Sequence, residues 1–98
     1  VELGAIERAL LEEPMVVEAV VIALPGAEDT LRLLAAVVLQ NGANITTRDL
    51  TQRLRTTFPP YAVPESIYLR ATLPRTGSGK VDRPALANLL EEPDQPTI

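Results

Sequence analysis

Apolar and polar positions along this 98-residue chain change rhythm several times, and each rhythm predicts an element. Leu3, Ile6 and Leu10 recur at helical spacing with charges between them, and Pro14 interrupts the pattern, so residues 2 to 13 read as an amphipathic helix. Val16 to Leu24 is a β-branched run, and Leu33 to Leu39 is a second. The Pro-Gly and Glu-Asp turn residues between 25 and 30 separate them, which predicts an antiparallel hairpin. Thr46 followed by Asp49 marks a helix start, with Ile45 and Leu50 as a staple across it; Leu54 and Phe58 extend the stripe until Pro59 ends it. Pro59, Pro60 and Pro64 exclude regular helix through FPPYAVP, where Tyr61 is expected to pack its ring on the domain, and Ser66 to Leu69 reads as a short strand. Pro84 suits the first turn of a last helix, with Asp82 or Arg83 near its cap and Leu86, Leu89 and Leu90 facing inward. The predicted fold class is α+β: a small three-stranded sheet with helices packed on it.

Composition restricts what such a domain does. The length suffices for one small domain, set at residues 1–91, followed by a polar tail or linker at 92–98. Aromatics make up only 3% of the chain, so its core must come from Leu, Val, Ile and Ala. A net charge of -4 without any long basic run argues against nucleic acid as a partner. There is no cysteine and no histidine. Disulfides, thiolate nucleophiles, histidine triads and His- or Cys-ligated metals are therefore excluded, and no metal ligand is nominated. No charge-free run reaches the roughly 18 residues of a membrane span, and no cleavable signal pattern opens the chain, which predicts no membrane partner and a cytoplasmic setting.

What remains is local chemistry, and LPRTGSGKVDRPAL at residues 73 to 86 holds the best candidate. Gly77 and Gly79 flank a loop that carries Lys80 between an extended segment and a helix. A compact ammonium there suits a phosphate or a carboxylate. A P-loop would need glycine five positions before Gly79 and Ser or Thr after the lysine; Pro74 and Val81 stand there instead. On its own, a lysine on a glycine loop is ordinarily a solvated surface charge.

The same residues closely resemble the last motif of adenylate-forming enzymes, the superfamily of nonribosomal peptide synthetase adenylation domains, acyl-CoA synthetases and luciferases. VELGAIE at residues 1 to 7 is similar to the end of an earlier family motif, and FPPYAVP at 58 to 64 is similar to LPxYMVP. GKVDRPAL at 79 to 86 completes the ordered set. Ala5 replaces the usual glutamate, Ala62 the methionine, and Gly77 and Ser78 stand where proline and asparagine are common. The resemblance implies a C-terminal lid on a larger N-terminal adenylation subdomain. ATP with Mg2+ is then bound mainly by that partner, and the acceptor is a phosphopantetheine thiol on a carrier protein. It implies Lys80 as the catalytic residue, with Lys80 and Gly79 as the cofactor-binding positions. A carboxylate attacking the α-phosphate needs charge neutralised between two anions, and a lysine with an ordinary pKa of about 10.4 supplies it at neutral pH. Asp82 and Arg83 belong to the same motif, where local capping or a salt bridge to the neighbouring domain accounts for them. A chain that starts without Met and inside a motif is expected to be a piece of something longer, and inactive alone. Lids of acyl-CoA or aryl-acid ligases, and a non-catalytic interaction module of the same fold, are the alternatives. Glycine at 77 also predicts a mobile loop in the free domain.

Overall fold

Three short helices and three strands make up the computed structural model, which describes residues 2–91: α1 (Leu3–Leu11), β1 (Val16–Pro25), β2 (Leu31–Leu39), α2 (Thr47–Arg55), β3 (Ser66–Leu69) and α3 (Arg83–Glu91). The α+β fold expected from the pattern is the one that forms. The tail predicted at 92–98 lies outside the described residues.

The sheet runs in the order β1-β2-β3. β1 and β2 form the predicted antiparallel hairpin, with Val21 opposite Ala35, while β3 joins parallel to β2 with Ile67 opposite Ala35. Successive residues of a strand point to opposite faces. Leu33, Ala35 and Val37 therefore meet Ile6 and Leu10 of α1 and Leu50 and Leu54 of α2, whereas Leu34, Ala36 and Val38 meet Leu86 and Leu90 of α3. Helices cover both faces of the central strand, and that is why β2 reads as an unbroken apolar run rather than an alternation. Each fully buried Leu or Ile in these layers contributes about 1.5 to 3 kcal/mol.

Local chemistry sets the element ends. Thr46 and Asp49 form a complete capping box: the Asp49 N–H donates to Thr46 Oγ1 at 3.1 Å, and the Thr46 N–H donates to Asp49 Oδ2 at 3.0 Å. α2 stops at Arg55, short of the expected Pro59. There the Thr56 hydroxyl turns back to donate to the Arg53 carbonyl at 2.7 Å, and β-branched Thr56 and Thr57 disfavour another turn. Phe58 still packs against the core.

Two inward placements fail. Leu89 is 47% exposed, because α3 meets the sheet along the narrow seam of Leu86 and Leu90. Tyr61 is 75% exposed: the short 3-10 turn Pro60–Ala62 points Ala62 inward and leaves the tyrosine ring outside.

Candidate functional site

The glycine-flanked loop folds as a closed turn. Arg75 and Val81 form an isolated antiparallel bridge at its base, where the Asp82 N–H donates to the Pro74 carbonyl at 2.8 Å. Within it the Thr76 N–H donates to the Lys80 carbonyl at 2.7 Å, and the Gly79 N–H donates to the Thr76 carbonyl at 2.9 Å. Gly79 has φ +91°, a conformation that costs other residues strain, and nothing lies within 4 Å of where its Cβ would be. The way to Lys80 past Gly79 is thus sterically open. These hydrogen bonds oppose the mobility that Gly77 and Gly79 would otherwise confer.

Charge around the turn is distributed unevenly. On one side Arg75 Nη2 donates to Glu18 of β1, and Nη1 donates to the Gly79 carbonyl at 3.2 Å. On the other, Arg83 Nη2 donates to Glu7 Oε2 at 3.1 Å and Nη1 to the Val21 carbonyl at 3.1 Å. Both arginines are neutralised by carboxylates of α1 or β1. Among the described residues Lys80, exposed between them, has no acidic partner. The turn therefore presents one uncompensated positive charge, docked on the free edge of β1.

The motif residues divide into two groups. Glu2, Ala5, Pro59 and Tyr61 share a concavity of about 200 Å³, so the first two motifs meet. Two larger concavities, about 630 and 590 Å³, run along α2 and past Phe58 and Pro64. None of the three is lined by the lysine turn. Asp82 caps α3, its carboxylate accepting the Ala85 N–H at 3.0 Å, as capping predicted. Arg83 also serves a structural role, but its salt bridge is to Glu7 of this same chain rather than to a neighbouring domain. Glu7, Glu18 and Arg75 escaped the sequence reading because their partners lie 76, 57 and 57 residues away. Charged residues just beyond the glycine turn, Arg75 on one side and Asp82 and Arg83 on the other, were the signal available.

Three helices packed on a three-stranded sheet are the architecture of the C-terminal subdomain of adenylate-forming enzymes. The family described as AMP-binding enzyme C-terminal domain matches residues 5–80, and the chain belongs to it. The chain is 45% identical over 83 residues to a linear gramicidin synthase of Brevibacillus parabrevis, covering 85% of the chain and 2% of the synthase. It is 39% identical over 90 residues to phenyloxazoline synthase MbtB of Mycobacterium tuberculosis, covering 92% of the chain and 6% of that protein. The chain thus spans only 2% and 6% of the length of these two relatives. Among solved structures, ATP-bound MatB from Rhodopseudomonas palustris superposes with a TM-score of 0.86 at 27% identity, over 94% of the chain and 18% of MatB.

Proposed function

We propose that residues 1–91 are the lid of an adenylation domain in a nonribosomal peptide synthetase, with residues 92–98 as a linker. The lid works on an N-terminal subdomain that holds ATP and the acyl substrate. Lys80 is the catalytic residue. Its ammonium sits between an attacking carboxylate, most simply that of an amino acid, and the α-phosphate, and stabilises the charge that builds as the acyl-adenylate forms and pyrophosphate leaves. Gly79, lacking a side chain, lets the nucleotide approach that ammonium closely. Mg2+ is held with ATP on the partner subdomain. The acyl group then passes to the phosphopantetheine thiol of a carrier protein.

The observation that supports this reading is that Lys80, between two paired arginines, has no acidic partner among the described residues. Pyrophosphate exchange, with this chain joined to its N-terminal subdomain, tests it. Lys80→Ala is expected to slow exchange by about 10² to 10³, the typical worth of one positioned donor, while transfer from a preformed adenylate stays near the unaltered rate. Equal loss in both steps, or none in either, overturns the role.

A second reading is favoured by the 35% identity over 85 residues to the mitochondrial malonate–CoA ligase of Bos taurus, of which the chain covers 14%. In that reading free coenzyme A is the acceptor. Supplying coenzyme A, or a carrier domain bearing a free phosphopantetheine thiol, to the same enzyme separates the two.

A further inference from the structure

We propose that Arg75 is a positioning residue for Lys80, the centre of a clamp that runs from Glu18 on β1 through the guanidinium to the Gly79 carbonyl. The inference rests on the catalytic reading of Lys80 given above.

A charge that acts by location loses its effect when it wanders, and a misplacement of about 1 Å can cost a hundredfold in rate. Yet Lys80 follows two glycines, which make any fixed shape of this turn entropically expensive. Backbone bonds inside the turn tie its residues to one another, and a side chain must tie the turn to the sheet. The carbonyl that Arg75 grips at 3.2 Å belongs to the peptide bond leading into Lys80, so fixing it fixes the lysine's own backbone. The other arm of the guanidinium reaches Glu18, whose backbone is paired with Val38 in the sheet. The planar fork of arginine serves two acceptors in different directions at once; a lysine at 75 would lack that geometry. The Arg75–Glu18 pair is partly exposed, at 42% and 29%, so it adds little to global stability. Its effect is local.

The test uses two readouts on Arg75→Ala, Arg75→Lys and Glu18→Gln. In this chain, backbone amide order parameters at Gly79 and Lys80 are expected near the rigid value of about 0.85, falling below about 0.6 in Arg75→Ala while the helices stay unchanged. In the complete enzyme, kcat for pyrophosphate exchange is expected to fall about 10- to 100-fold at constant KM for ATP, with transfer from preformed adenylate unaffected. Arg75→Lys should recover only part of the loss. Unchanged order parameters and exchange in Arg75→Ala overturn the clamp, as does a loss spread over the whole domain with no change specific to the turn. Should Arg75→Ala fail to fold, Glu18→Gln tests the clamp from its other end by the same two readouts. If Lys80→Ala leaves exchange intact, the catalytic reading falls, and the order parameters still decide whether the clamp exists.

Discussion

Arg83 and Glu7 replace a missing strand. β1 is an edge strand, and its Val21 turns a peptide N–H and C=O away from β2. Glu7 Oε2 accepts that N–H at 2.7 Å, Arg83 Nη1 donates to that C=O at 3.1 Å, and the two side chains pair with each other at 3.1 Å. The Glu7 side chain is only 17% exposed, whereas Arg83 is 51% exposed, so the ion pair is discounted toward the surface value of about 1 kcal/mol. The bond to the Val21 carbonyl adds about 1 kcal/mol. Arg83→Ala should therefore cost about 2 kcal/mol, which for a domain of this size lowers Tm by about 8 to 16 °C. Glu7→Gln keeps an acceptor for Val21 and loses the charge, costing about 1 kcal/mol. Thermal and urea unfolding of both single variants and the double variant close the cycle. The expected coupling is about 1 kcal/mol, above the scatter of about 0.3 to 0.5 seen for independent sites. Additive losses would refute the pairing, and an Arg83→Ala Tm within about 2 °C of the parent would refute the whole edge-capping argument. Loss of the cap also bares a strand edge, so the variants should associate more readily at high concentration.

Other expectations follow from the hairpin and from the carboxylates. The turn between β1 and β2 puts Glu28 (φ 53°) and Asp29 (φ 63°) in the left-handed region, which glycine adopts freely, asparagine and aspartate adopt occasionally, and glutamate adopts only with strain. Glu28→Asn with Asp29→Gly should raise stability by about 1 to 2 kcal/mol in urea unfolding; a decrease would show that the acidic tip makes compensating contacts. Asp49 is held below its usual carboxylate range by the Thr46 N–H and then by the Thr46 hydroxyl, and Glu65 by the hydrogen bond from the Arg32 guanidinium. Groups with lowered folded-state pKa stabilise the fold when ionised: their contribution is present above about pH 4 to 4.5 and is lost as pH falls through the lowered values. Tm should therefore show no loss from these two groups between about pH 5.5 and 8 and decline below about pH 4. Asp49→Asn with Glu65→Gln should flatten that acid limb, and an unaltered limb would count against both assignments.

Much of the fold was legible because its signals are local. The Thr46 and Asp49 box, the run at Val16, the stop at Pro14 and the strand at Ser66 each depend on neighbours within a few residues. So does the turn that carries Lys80, which glycine alone suggests. Errors arose where a neighbouring surface decides. Leu89 is as apolar as Leu90, and only the width of the seam beneath α3 separates the buried residue from the exposed one. Tyr61 and Ala62 differ in burial for the same reason, since one turn of 3-10 helix has room to bury one of them.

By itself the sequence determined the kinds of element, their order, the lack of cysteine and histidine chemistry, and a family whose motifs survive in a linear string. Tertiary structure alone decided that β3 lies parallel beside β2, that Arg75 meets Glu18, and that Arg83 meets Glu7 and Val21. The division is physical: periodicity, caps and turns are set by interactions along the chain, whereas pairing between distant residues depends on which surfaces meet when both faces of the sheet are buried.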